Sequence, residues 1–171
     1  MILLFCDYTY LDSEDFRYRS GMEKINICIS TFDDMENDHS PTLHDIETLT
    51  AYLPRLYAED FSPVIKWNGG KRADGTYTMP YPDYDPLVEE FYRAVSGGGW
   101  LDDHYNPEQA YQMLKDENRI KTASLPEIKS MLTFCVRGER FSDGHWAAMI
   151  EGGYIRRLLE RLDEIKAELP K

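Results

Sequence analysis

Two runs of apolar residues at helical spacing, both near the C-terminus, constrain the fold of this chain most. Ser124 and Glu127 form a capping-box pattern, which predicts a helix that begins at Leu125. Apolar residues recur every three or four positions in this helix and in the last one: Leu125, Ile128, Met131, Leu132, Cys135 and Val136, then Ile155, Leu158, Leu159, Leu162 and Ile165. Such spacing gives each helix one apolar face. We expect the first of the two helices to form the centre of the core.

Further helices are predicted upstream from their start signals. Each signal is a polar capping residue followed by an acid or a proline, and the signals lie at Thr42 with Asp45, Asp85 with Pro86, and Asn106 with Pro107. Pro54 should end or bend the first of these helices at about Leu53, because proline removes a backbone donor. Trp100 is expected to anchor the core.

The strand signals are fewer. Residues 2–6 and 24–32 are apolar or alternating, and residues 64–79 indicate a hairpin whose turn runs through the glycines between residues 68 and 75. The expected fold is α+β and mostly helical, a single compact helical domain with a small antiparallel β-sheet. We predict two parts: an acidic segment over 1–41 with one or two strands, and a mainly helical domain over 42–171.

The charge of the chain bears on its partners. The formal net charge is -12 and the sequence pI is about 4.7, which makes direct nucleic-acid binding a poor expectation, since that affinity comes largely from Lys and Arg. A basic protein surface is the expected partner, and the partner-binding candidates are Asp33, Asp34, Glu36 and Asp38. The alternative is an acidic surface that only keeps the protein in solution. A counter-defence protein that imitates DNA is a further alternative, resting on charge alone.

Cysteine usage and hydropathy indicate the compartment. Cys6, Cys28 and Cys135 are odd in number and widely spaced, which favours neither a disulfide framework nor a zinc site. The apolar opening is interrupted at Asp7, too early for a signal peptide or a membrane span. We therefore expect a cytoplasmic protein with no membrane contact.

A polar cluster is predicted where the two C-terminal helices are joined. It contains Arg137, Glu139, Arg140, Asp143, His145 and Glu151. Ser142 is expected to cap a short helix there, and Gly152 and Gly153 to end it. Three interpretations stay open: a hydrogen-bonded clasp between helices, an anion-binding surface and a catalytic site. The anion-binding candidates are Arg137, Arg140 and His145, and the catalytic candidates are His145, Asp143 and Glu151.

Metal and cofactor motifs are weak or missing. Asp102, Asp103 and His104 are metal-ligand types, but three adjacent residues seldom point at one ion, so a capped loop is the better interpretation. No nucleophile or zinc-protease motif occurs. We expect no metal and no cofactor.

One group of residues carries a family resemblance. Its members are Leu132-Thr133, Val136-Arg137, Arg140-Phe141, Gly144-His145, Glu151 with Gly152 or Gly153, Ile155, and Leu159 through Arg161-Leu162, with weaker matches at Tyr52-Leu53-Pro54, Asp60-Phe61 and Met79-Pro80-Tyr81. Over roughly residues 46–166 the chain resembles a bacterial family known as domain of unknown function 6508. Trp146 and the double glycine at 152 and 153 depart from the family pattern. The resemblance implies a fold boundary and carries no assigned activity.

Two functions remain in competition. The first is a non-enzymatic, acidic protein-interaction module that inhibits or regulates a basic or nucleic-acid-binding partner. The second is a small hydrolase, or an anion- or nucleotide-binding protein, that uses Arg137, Arg140 and His145. The arrangement of these three side chains discriminates between them, because an enzyme needs them to face one void.

Overall fold

Helices make up most of the fold, and one hairpin is inserted between them. The structure, a computed structural model, describes residues 40–168. Its helices lie, in chain order, at Leu43–Thr50 (α1), Leu53–Leu56 (α2), Pro86–Val95 (α3), Pro107–Lys115 (α4), Glu117–Lys121 (α5), Leu125–Arg137 (α6), His145–Glu151 (α7) and Tyr154–Glu168 (α8). The antiparallel strands are Val64–Lys71 (β1) and Tyr77–Tyr84 (β2), and a 3-10 turn at Gly138–Arg140 continues α6. The predicted mostly helical α+β class is confirmed.

Local side-chain caps begin the helices where the sequence predicts. Thr42 and Asp45 form a complete capping box, and the Asp45 carboxylate accepts a 2.8 Å bond from the Thr42 amide. Ser124 and Glu127 repeat the arrangement at α6, again with a 2.8 Å bond. These bonds satisfy amides that have no partner within their own helix. The predicted caps at Asp85 and Asn106 are also confirmed.

The core is shared between α6 and α8. α8 packs against α1, α2, α5, α6 and α7, whereas α6 packs against α3, α4, α7 and α8. The fully buried side chains of the two helices include Ile128, Met131, Leu132, Cys135, Ile155, Leu158, Leu159 and Leu162. Trp100 is 1% exposed, so its predicted anchoring role is confirmed. α6 is therefore central, but it shares that position with α8.

The first helical region differs from its prediction. α1 ends at Thr50, earlier than the expected bend at Leu53, and a separate short helix follows. Pro54 lies in the first turn of α2, where a missing N–H costs no hydrogen bond. Proline therefore helps to start α2, and its missing N–H also leaves the Thr50 carbonyl, four residues upstream, without a helical donor at the point where α1 ends.

The hairpin is longer than predicted and its turn is shorter. Gly69 and Gly70, expected in the turn, lie within β1 at φ +90° and +91°, beside an irregularity in the strand pairing. A Cβ at Gly69 would lie 2.5 Å from the carbonyl oxygen of Met79, so only glycine allows this approach of the strands. The chain reverses between Lys71 and Tyr77, with Gly75 at φ +85°.

The far strand of the hairpin contains two prolines. Pro80 and Pro82 lie in β2, and proline has no N–H to donate to a neighbouring strand. Within the residues described, the sheet has two strands only. The predicted strands at 2–6 and 24–32 lie outside the described residues, as do the acidic candidates Asp33, Asp34, Glu36 and Asp38. Between residues 40 and 168, the helices are all too short or too polar to cross a membrane.

Candidate functional site

The carboxylate of Glu139 organises the turn between α6 and α7. One oxygen accepts bonds from the Tyr84 hydroxyl at 2.6 Å and the Gly144 amide at 3.0 Å, and the other accepts from the Trp146 amide at 2.8 Å. Both amides lie at the start of α7, where backbone donors lack partners and the helix dipole favours a negative charge. We call Tyr84, Glu139, Gly144 and Trp146 the Glu139 clasp. It joins the hairpin to the C-terminal helices.

Trp146 extends the clasp into the core. Its indole stacks on the ring of Tyr92 in α3, with centroids 4.5 Å apart and planes 8° from parallel. The indole nitrogen donates to the carbonyl of Val136 at 3.1 Å, and the Tyr92 hydroxyl donates to the Trp146 carbonyl at 3.3 Å. Burial and the bond to Glu139 raise the pKa of Tyr84, so its hydroxyl stays protonated and donates. The clasp is thus hydrogen-bonded and packed on both sides.

The prediction that Ser142 caps α7 is wrong. The N-cap residue of α7 is Gly144, at φ +88°, which has no side chain that could accept a hydrogen bond from the helix. Glu139 supplies the acceptors from the preceding turn, so a serine cap is not needed. Gly144 also admits the ring of Trp67, which would lie 2.5 Å from a Cβ at that position. The predicted interruption by glycine after α7 is confirmed, with Gly153 at φ +72°.

His145 lies against α6 and does not face an open void. Its imidazole meets the ring of Phe134 edge-on at 5.5 Å and lies directly on Gly138, where a Cβ would clash with it. The Nε2 atom is buried and has no hydrogen-bond partner in the described chain. Burial lowers the pKa of His145, an effect opposed by Glu139 and by a bond to the Phe134 backbone. A general acid or base needs reach to a substrate, and this nitrogen has none.

Among residues 40–168, no hydrogen bond, ion pair or ring contact joins His145 to Arg137, Arg140, Asp143 or Glu151. The guanidinium of Arg137 pairs with Asp103 at 2.8 Å and lies 5.1 Å from the ring of Tyr105. Arg140, Asp143 and Glu151 are exposed, and none of their side chains has a hydrogen bond or ion pair within residues 40–168. Of the amides at the start of α7, those of Gly144 and Trp146 donate to Glu139, and that of His145 donates to the Ser142 carbonyl. The geometry therefore gives no support to an external anion or a reaction centre at this turn.

A pH prediction follows from the burial of His145. Because the folded pKa lies below the unfolded one, the unfolded chain takes up the proton first as the pH falls. The contribution of His145 is complete above its unfolded pKa of about 6.5 and is lost as the pH falls toward the lower folded value. We expect the free energy of unfolding, measured with urea at pH 7.5 and 5.5, to drop less in His145→Gln than in the unchanged protein. Equal drops would contradict the assignment.

The acidic loop before α4 is structural. Asp102 accepts from the His104 amide at 2.9 Å and from the Ser130 hydroxyl, and its own amide donates to Thr133 at 2.8 Å. These bonds attach the loop to α6. In the part of the chain that is described, no three His, Cys, Asp or Glu side chains are grouped closely enough to hold a metal ion.

A cluster of exposed apolar side chains lies on the hairpin. Five of the eight large apolar residues exposed in the described chain belong to it: Ile65, Trp67, Tyr77, Met79 and Tyr81. Met79 is 72% exposed and Tyr77 65%. Phe141, 87% exposed, lies in the turn whose Gly144 contacts Trp67. We call these six residues the hairpin patch; because Trp67 pairs with Pro82 and Tyr81 pairs with Asn68, the patch includes both faces of the hairpin.

A comparison with protein-family models decides the relationship of the chain. Residues 41–168 match the model described as Family of unknown function (DUF6508). The chain belongs to the DUF6508 family. The match confirms the predicted resemblance and extends it by a few residues at each end, so that it includes the α1 cap. No curated protein and no solved structure matches the chain.

Sequence reasoning did not find the central role of Glu139 in this DUF6508 protein. It placed Glu139 in the polar cluster but gave the cap to Ser142 and the contacts to Arg140 and His145. The available signal was Gly144 directly before an apolar helical run, with a glutamate one turn upstream. The bond to Tyr84 has no such signal, because 55 positions separate the two residues.

Proposed function

We propose that this protein is a non-enzymatic protein-interaction module whose partner is a basic protein, bound through the hairpin patch. The concentration of exposed aromatic and apolar side chains on one hairpin is the observation that carries the proposal. Soluble proteins rarely expose large apolar groups together unless the surface makes contacts. Aromatic residues and methionine are also enriched at protein interfaces.

The charge of the chain supports a basic partner. A net charge of -12 attracts basic proteins over a distance and repels acidic ones. The hairpin itself is nearly balanced: its Lys66 lies opposite Asp83 across the strands, and Asp74 lies in its turn near Lys71. The long-range attraction is therefore assigned to the rest of the chain, including the predicted contacts Asp33, Asp34, Glu36 and Asp38. The apolar contact is assigned to the patch.

Rigidity also favours this use of the hairpin. Tyr84 anchors one end of β2 to Glu139, and Trp67 lies on Gly144. These contacts fix the hairpin on the helices before a partner binds, so less conformational entropy is lost on binding. Occupying the surface of a partner would be sufficient to inhibit or regulate it.

Binding should be lost when the patch becomes polar. We expect the double variant Tyr77→Lys/Met79→Lys to abolish capture of a specific basic protein from host extract, since both side chains are mostly exposed. Leu43→Lys, which changes an apolar residue 48% exposed elsewhere, should retain capture. The measurement is quantitative pull-down, followed by a binding titration with the purified partner at two salt concentrations. Replacing Asp33, Asp34 and Asp38 by asparagine and Glu36 by glutamine should slow association.

Three results would overturn the proposal. They are capture that survives the double variant, a captured partner of acidic pI, and a patch-dependent dimer of this protein in light scattering in place of a partner complex. The first result would show that the patch does not bind the partner, and the second would show that the charge of the chain does not select a basic partner. The third would show that the patch mediates self-association.

A further inference from the structure

A cleft lies on another part of the molecule, between the segment that follows α2 and the corner between α7 and α8. Its volume is about 580 Å³, within the range of about 300–1,000 Å³ typical of small-molecule sites. Tyr57, Phe61 and Pro63 form apolar walls, and Glu59, Glu151 and Arg156 supply charge. The Tyr57 hydroxyl donates to the carbonyl of Ile150 at 3.1 Å, which ties the two walls together.

Arg156 is the cation of this cleft that has no acidic partner in the described residues. Its neighbour Arg157 is occupied, pairing with Glu117 at 3.2 Å and donating to the Gly152 carbonyl. Arg156 is exposed, and no carboxylate between residues 40 and 168 lies within ion-pair distance of it. Its guanidinium carbon lies 4.2 Å from the centroid of the Tyr57 ring. Stacking on an aromatic face leaves the N–H groups at the guanidinium edge free to donate.

We propose that this cleft binds a small monocarboxylate with an apolar body. The carboxylate takes the paired donors of Arg156, since the guanidinium fork matches a carboxylate in two parallel bonds. The apolar body contacts Tyr57 and Phe61. Burial raises the pKa of Tyr57 to about 12, so the ring carries no charge that would repel the ligand.

Two features decide between a monoanion and a dianion. α8 begins at Tyr154 beside the cleft, and the positive end of its dipole favours a negative group. Glu59 and Glu151 line the same cleft and repel a second negative charge. A carboxylate satisfies both conditions, whereas a phosphate monoester brings excess charge. The inference does not depend on the hairpin patch, which lies on other elements.

Phenylacetate is the test probe, with phenyl phosphate as its dianionic counterpart and 2-phenylethanol as its neutral one. We expect phenylacetate to bind the full chain in the millimolar range by calorimetry and by ligand-observed NMR, and both counterparts to bind more weakly. Arg156→Gln should weaken phenylacetate binding about tenfold. Arg55→Gln is the matched control, because Arg55 also lies over a tyrosine, at 5.4 Å from the Tyr52 ring, but outside the cleft.

A second variant gives a readout of opposite sign. Glu151→Gln should strengthen binding of phenyl phosphate about threefold or more by removing a repulsive charge. An unchanged unfolding midpoint will show that each variant is folded. The proposal is overturned if phenylacetate does not bind at 10 mM (a concentration chosen at about tenfold above the expected range), if Arg156→Gln and Arg55→Gln behave alike, or if Glu151→Gln leaves phenyl phosphate unchanged.

Discussion

Glu139→Ala is expected to destabilise the protein by about 2–4 kcal/mol, because two backbone amides and the Tyr84 hydroxyl lose their acceptor together. Unpaired donors at the start of α7 are costly, since the helix offers them no substitute. Urea unfolding followed by far-ultraviolet circular dichroism measures the loss. Glu139→Gln should lose about half as much, because its amide keeps one acceptor oxygen.

The matched control for this prediction is Glu151→Ala. Glu151 is also a glutamate, the last residue of α7, but it is exposed and its side chain has no hydrogen bond or ion pair within the described chain. Its replacement should change the free energy of unfolding by no more than about 0.5 kcal/mol. Similar losses of unfolding free energy in Glu139→Ala and Glu151→Ala would show that the Glu139 clasp does not stabilise the turn.

Trp146→Ala is expected to cost about 3 kcal/mol or more. The variant deletes a ring stacked on Tyr92 and leaves a void between α3, α6 and the hairpin, and such a void adds to the lost transfer energy. Trp146→Phe, which keeps a ring but leaves the Val136 carbonyl without its donor, should cost about 1–2 kcal/mol. Thermal and urea unfolding both report the change.

Trp67→Ala provides the comparison within the same region. Trp67 is 53% exposed and touches the rest of the protein at Gly144, so its removal should cost about 1 kcal/mol or less. If Trp146→Ala and Trp67→Ala were equally stable, the stacking of Trp146 on Tyr92 would not contribute to the stability of the fold. Loss of partner capture by Trp67→Ala without loss of stability would in turn separate binding from folding.

The helix starts were predictable because their interactions are local. The capping boxes at Thr42 and Ser124 join residues three positions apart, so a pattern in the sequence contains the whole interaction. The apolar spacing of α6 and α8 likewise reports the buried face directly. Their length and strong periodicity leave little room for another element.

The Glu139 clasp was not predictable in the same way. Its acceptor and its donors come from β2, the 3-10 turn and the start of α7, which meet through tertiary contacts such as the packing of Trp146 on Tyr84 and Tyr92. The closeness of Arg140 and His145 in the sequence suggested a site, but closeness in the sequence does not determine the direction in which each side chain points. His145 instead fills the space left by the missing side chain of Gly138.

Glycine content in the hairpin was ambiguous for a related reason. Gly69 and Gly70 have the composition of a turn, and a positive φ serves a turn and a strand irregularity equally well. The deciding factor is the close approach of Met79 from the other strand, which no local pattern reports.

The two prolines of β2 have a consequence for how this protein behaves when concentrated. Exposed aromatic strands commonly recruit further copies edge to edge and grow into fibrils. A strand that paired with the free edge of β2 would lack hydrogen-bond donors at Pro80 and Pro82, because proline has no backbone N–H. The protein can therefore expose apolar side chains on the hairpin, while the prolines disfavour the addition of further strands at the β2 edge of the sheet.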